Sequence, residues 1–147
     1  MRAQVVENEE QLRECLAIRR EVFVEEQGVP EDLEWDEWDR VGACVHLLVR
    51  DGRGMAQATA RVKRYDETTA KVQRVAVRRS VRGGGWGRAV MAAAEAAARQ
   101  LGLRRVVLDA QCQAQAFYEK LGYRVVSEEP FLDAGILHVR MEKELAD

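Results

Sequence analysis

Only two prolines, two histidines and three cysteines occur in the 147 residues, and aromatic side chains make up 6%. So few prolines leave long helices and strands uninterrupted. Cys15, Cys44 and Cys112 are far apart and odd in number, with no CxxC pair and no HExxH helix, so neither a disulfide framework nor a metal is expected. Reduced thiols suit a cytoplasmic protein. Charge of one sign is also missing. Lys and Arg number 23 against 25 Asp and Glu, a net −2 that offers no global basic field to a nucleic acid. No apolar run approaches the ~20 residues that cross a bilayer, and the acidic N-terminus lacks the marks of a signal or transit peptide. Repeats and linker-like stretches are absent, so one domain over residues 1–147 is expected, with neither nucleic acid nor membrane as partner.

Hydrophobic residues at 47% and charged residues at 33% are enough for a core and a solvated surface. A short strand near Ala3–Val6 precedes Asn8, a helix cap with Gln11 three positions on, and Leu12, Cys15, Leu16, Val22 and Phe23 follow at helical spacing as far as Gly28. The segment from Gly28 to Gly42 carries six acidic residues with Trp35 and Trp38 and reads as a mobile acidic loop. Cys44–Arg50 and Met55–Lys63 read as a hairpin, with Ala70–Val77 pairing beside them. The clearest helix places Val90, Met91, Ala94, Ala97 or Ala98, and Leu101 on one face, and Gly102 stops it. A buried strand, RRVVLDA, leads to a helix over about Gln113–Leu121, then a short strand Tyr123–Val126 and a final one, Ile136–Glu142. Hairpins first and a strand–helix–strand crossover second predict a mixed, mostly antiparallel α/β sheet with helices on both faces.

The stretch VAVRRSVRGGGWGRAV is the most informative. A β-branched strand ends, Arg82 opens a run of Gly83, Gly84, Gly85 and Gly87, and the long helix begins. Glycines admit close backbone approach and positive φ, and a helix start presents unpaired N–H groups to an anion. Arg78, Arg79, Arg82 and Arg88 add charge for phosphates. The P-loop pattern fails for want of its Lys and Ser or Thr, and the dinucleotide fingerprint fails because Arg88 and Val90 stand where its last glycine belongs.

Arg82, Gly85 and Gly87 resemble the R/Q-x-x-G-x-G/A pyrophosphate motif of the GNAT superfamily of acyl-CoA-dependent N-acyltransferases. QCQAQAFYEKLGY likewise resembles that family's N-x-x-A-x-x-F-Y-x-K-x-G-F segment, with Gln111 in place of asparagine and Tyr123 in place of phenylalanine. The resemblance implies the family's fold and a cytoplasmic N-acetyltransferase that uses acetyl-CoA as cosubstrate, without a metal, and passes the acetyl group directly to a primary amine. A non-catalytic acyl-CoA sensor is the alternative. It also implies a strand splayed at Arg74–Val77 whose Val75 and Val77 meet the pantetheine arm, with the Val77 N–H polarising the thioester carbonyl. The pyrophosphate would rest on N–H groups from Arg82 through Gly83, Gly84, Gly85 and Gly87 to Arg88, and Gln111 would bond the pantetheine amides.

Tyr118 touches the coenzyme in the same scheme and is the expected general acid, since a phenol held in reach can protonate a departing thiolate. The family's usual glutamate base falls on Gln73, which takes no proton, so Glu25, Glu26, His46, Asp109, His138 and water are the candidates. Cys112, beside the second motif, admits a covalent route. The carboxylates Glu31, Asp32, Glu34, Asp36, Glu37 and Asp39 are expected either to attract a cationic amine, with Trp35 and Trp38 as aromatic faces, or to form a solvated loop. Arg19 and Arg20 are the alternative, as holders of an acidic acceptor. Acceptor identity and the choice between monomer and homodimer stay open.

Overall fold

The structure, a computed structural model, describes residues 1–146; the last position of the domain expected over 1–147 lies outside the described residues. Strand β1 (Arg2–Val5) leads to α1 (Glu9–Arg19), where the Asn8 side chain accepts the Gln11 N–H at 2.9 Å. The helix does not run evenly to Gly28. It widens into a π-helix over Arg20–Glu26, a form that in proteins is rare and short. Helix α2 is a single turn (Glu31–Glu34), followed by β2 (Val45–Arg50), β3 (Ala56–Arg64) and β4 (Thr69–Val77). Helix α3 (Trp86–Gln100), β5 (Arg105–Gln111), α4 (Gln115–Lys120), β6 (Arg124–Val125), β7 (Phe131–Asp133) and β8 (Ile136–Glu144) complete the chain.

One sheet joins the strands in the order β1-β2-β3-β4-β5-β8-β6, with β7 also paired to β8. Among the described strands only β4 and β5 run parallel, as a crossover through α3 requires of strands joined by a helix. The mixed, mostly antiparallel α/β sheet is as expected. Alternation sorts its side chains into two cores. Leu47, Val49, Ala58, Ala60 and Val62 face α3, where Val90, Met91, Ala94 and Ala98 pack on them, and the small alanines let the helix sit close. Leu48 and Ala76 face the other way, onto Leu12, Cys15, Ile18 and Val22 of the N-terminal helix. Each large aliphatic side chain sealed in this way contributes about 1.5–3 kcal/mol.

The acidic segment is not a mobile solvated loop. Arg19 donates to Glu34 at 2.8 Å and to Asp39 at 2.6 Å, Arg61 donates to Asp36 at 2.6 Å and to Asp39 at 2.9 Å, and Arg74 lies 3.1 Å from Glu34. Three carboxylates thereby lock onto three arginines of α1, β3 and β4. Both tryptophans are also engaged, Trp35 beneath Arg19 and Arg20 and Trp38 beneath Lys63. Isolated charges do not survive burial, and these survive because every one has a partner.

Candidate active site

Pairing between β4 and β5 covers Thr69, Ala70 and Lys71 and ends at Lys71–Val107, although both strands continue. The separated edges open a cleft of about 870 Å³, lined by both strands, the glycine turn before α3, the π-helical segment, Phe117 and Tyr118 of α4, and the β7–β8 turn. At the mouth, β4 is bulged. Arg61 faces Gln73 and Thr59 faces Ala76, so Arg74 and Val75 share one position opposite Ala60, and Arg74 adopts φ +57°. The bulge shifts the alternation by one. Val75 and Val77 pack toward α3, whereas Gln73 and Arg74, neighbours in sequence, both meet residues on the α1 side.

The α3 side holds most of the coenzyme residues expected from the sequence. Arg78 N–H donates to the Gln57 carbonyl, so the next pair, Val77 with Ala58, turns its peptide groups away from β3 and toward the cleft. The Val77 carbonyl is capped there by Arg82 at 3.2 Å. Gly83 and Gly85 have φ of +86° and +85°, left-handed conformations that favour glycine, and a Cβ on Gly83 would meet nothing within 4 Å. Gly87 serves differently. It lies within α3, and a Cβ there would stand 2.9 Å from Phe117, so its role is to seat that ring. The first helical bond runs from Ala89 N–H to the Gly85 carbonyl, which leaves the N–H groups of Trp86, Gly87 and Arg88 for a ligand, and all three residues line the cleft. Gly84 lines it too. This run of free donors on the cleft wall suits an anion such as the diphosphate of a coenzyme.

The phosphate-facing charge is smaller than four arginines imply. Arg82 is held by both oxygens of Glu26, at 2.5 and 2.6 Å, and Arg78 pairs with Glu21 at 3.3 Å. Among the described residues, the guanidinium groups of Arg79 and Arg88 form no ion pair, although the Arg79 backbone N–H donates to Glu21 at 3.2 Å. Tyr118 is buried against Tyr123 and Phe117, and its hydroxyl bonds to no described residue while keeping contact with the cleft. Burial raises its pKa above the ordinary phenol value.

Gln111 reaches the α1 side, where its amide nitrogen donates to Gln27 at 2.7 Å and its oxygen accepts from Gln113 at 2.6 Å. This glutamine clasp spans the cleft. The candidate bases separate clearly. Glu25 is exposed and outside the cleft wall, Glu26 is committed to Arg82, and His46 is buried on Trp38 with its pKa lowered by desolvation. Asp109 lines the cleft, but Arg140 at 2.9 Å holds its carboxyl below the usual range against the effect of burial. His138 also lines the cleft. Its Nδ1 lies 2.7 Å from the Ile136 carbonyl, which assigns the proton to Nδ1 and leaves Nε2 with a free lone pair, and Phe131 stacks on the ring. Cys112 lies off the cleft wall, and Cys15 and Cys44 are pushed up to about 11 by burial.

Arg19 and Arg20 do not hold an acceptor. Arg19 is sealed in the ion network, and Arg20 pairs with Glu31 at the surface. Nor do Glu34, Asp36 and Asp39 present a field for a cationic amine, since arginines claim all three. The ion network and the bulge were missed from the sequence. Their one signal was Thr59, Arg61 and Arg74, polar residues set between small or apolar neighbours in the strands.

A sheet split between two parallel strands, with a glycine-rich helix start and a buried tyrosine on the walls of the cleft, is the geometry of the candidate site. A family model described as the acetyltransferase (GNAT) domain matches residues 8–145, and the chain belongs to that family, whose members carry out acyl-CoA-dependent N-acetyl transfer. The uncharacterized N-acetyltransferase YjcF of Bacillus subtilis is 42% identical over 144 residues, 98% of this chain and 100% of that protein. A provisionally named N-acetyltransferase from Lactobacillus plantarum superposes with a TM-score of 0.89 at 31% identity, over 99% of this chain and 98% of the other. An acyl-CoA N-acyltransferase from Pseudomonas aeruginosa superposes at 0.83 with 32% identity, over 97% and 98%.

Proposed function

We propose that the protein, working as one domain, transfers an acetyl group from acetyl-CoA directly to a primary amine. The observation that carries this reading is the split between β4 and β5, with the Val77 peptide turned into it and free helix-start N–H groups at its mouth. The pantetheine arm lies along Val75 and Val77, and the diphosphate rests on the turn from Arg82 to Arg88. The Val77 N–H steadies the charge that develops on the thioester oxygen, an effect worth a few kcal/mol when the donor is already in place.

His138 acts as general base through Nε2 and accepts the proton that the amine loses as its nitrogen bonds to the carbonyl carbon. As the carbon–sulfur bond breaks, Tyr118 gives its hydroxyl proton to the departing sulfur. Gln73 plays no part in proton transfer. Its amide oxygen accepts from Arg61 at 3.1 Å.

Calorimetric titration with acetyl-CoA tests the coenzyme half of this scheme. Micromolar binding is expected, abolished in Gly85→Glu and largely kept in Gly85→Ala. Both variants carry the ~1 kcal/mol cost of a left-handed side chain, and only the first adds charge and bulk. Equal loss in both, or no binding by folded protein, overturns the reading.

A further inference from the structure

The acceptor side of the cleft carries an arginine that its own neighbours do not use up. Within the three-arginine network, Arg61 donates through Nε, Nη1 and Nη2, to Asp36, Asp39 and Gln73. Arg74 is different. Its Nε and Nη2 reach Glu34 and Asp36, but Nη1 has no hydrogen-bond partner among the described residues. That nitrogen is not sealed from solvent, and Arg74 is the one arginine of the three that lines the cleft. The bulge holds it there at the cost of a left-handed φ, and such strain persists only where the surroundings impose it.

The charges around it select the sign of a ligand. Three carboxylate residues line the cleft. Glu34 is shared by Arg19 and Arg74, Asp109 is shared by Arg140 and Lys71, and Asp133 stands exposed at the β7–β8 turn, where water screens it. A second cation on the acceptor therefore finds no free partner in the buried part, while an anion finds Arg74. Phe23, Val29, Leu33 and Ile136 add apolar surface to the same cleft.

We propose that Arg74 recognises the acceptor through a carboxylate, and that the acceptor is an amine of amino-acid type with an apolar body. The inference rests on the acetyl-transfer reading of the same cleft. Guanidinium and carboxylate form charge-assisted hydrogen bonds of the strong kind, and Val77, whose N–H is proposed to hold the thioester oxygen, lies three residues further along the same strand.

The test compares leucine, phenylalanine and 6-aminohexanoate with their methyl esters as acceptors, with CoA release as the readout. An ester of an α-amino acid has the more readily deprotonated amine, so a preference for the acid runs against intrinsic reactivity. The expected kcat/KM favours the acids by about tenfold or more, Arg74→Gln erases that preference, and Arg74→Lys keeps part of it. Acetyl-CoA affinity stays within about twofold in both variants, which separates acceptor recognition from a general loss of structure. Equal rates for acids and esters, or a preference that survives in Arg74→Gln, overturn the proposal. Absence of acetyl-CoA binding would instead strike the acetyl-transfer reading. In that case NMR titration with N-acetylleucine and its methyl ester decides the inference alone: acid-selective binding lost in Arg74→Gln supports it, and no selectivity overturns it.

Discussion

Tyr118 and His138 approach the cleft from opposite sides of the sheet, and each is prepared differently for handling a proton. Burial raises the Tyr118 phenol above its ordinary pKa and so favours the protonated form that the proposed acid needs. The Ile136 carbonyl fixes the His138 tautomer, so the proposed base is aimed rather than free to turn. Removing either should cost rate more than binding. Tyr118→Phe is expected to lower kcat by roughly 10²-fold with acetyl-CoA affinity nearly unchanged. His138→Gln is expected to show a similar deficit at neutral pH that shrinks in alkaline solution, where the amine is already neutral, and steady-state kinetics across pH measures both. Tyr118 was visible in the sequence because a motif surrounds it. His138 was one name among several, since nothing in the sequence shows which carboxylates an arginine has already taken.

At the scale of elements, the segment between α1 and β2 is pinned by charge rather than by regular structure. Asp39 shows how firmly. Burial opposes its charge, yet hydrogen bonds and proximity to Arg19, with help from Arg61, bring its pKa down to about 2. A folded-state pKa below the unfolded value means that the stabilisation is complete above the unfolded pKa, about 3.9, and is lost as pH falls through the folded one. Between about pH 4 and pH 2 the wild type should lose on the order of 2 kcal/mol from this group alone, and Asp39→Asn should flatten that slope. Urea denaturation at several pH values measures it. An unchanged slope in the variant would place the acid sensitivity elsewhere.

For the whole molecule, the cleft makes stability and function one problem, because the sheet is left unpaired where the coenzyme is proposed to lie. A ligand that fills the gap supplies partners to strand edges that lack them. Acetyl-CoA at about a hundred times its dissociation constant should contribute about 2.7 kcal/mol. For a chain of this size that corresponds to a rise of roughly 8 °C in Tm by thermal melting. Gly85→Glu should show none of that rise at the same concentration. Among the described residues two non-glycines have positive φ, Arg74 and Ala134, and both line this cleft, so backbone strain is gathered at the candidate site.

Local chemistry is what the sequence by itself determined. Apolar periodicity marked α3 and the central strands, Asn8 marked the start of α1, and the glycine turn with its arginine marked the corner proposed for the diphosphate. Each of these depends on residues close together in the chain, whose spacing is read directly. The limits of such reading appear at Ala134–Gly135, where a two-residue turn with both φ positive builds β7 against β8 without the usual asparagine. They appear again at Glu34, Asp36 and Asp39, which read as a solvated loop and are claimed by Arg19, Arg61 and Arg74 from three other elements. Only the tertiary structure decided that outcome, along with the Arg74 bulge and the separation of the two sides of the cleft. The reason is physical: a charge is free or spent according to what lies a few ångströms away in space, and those neighbours can be 57 residues distant along the chain, as Glu21 is from Arg78.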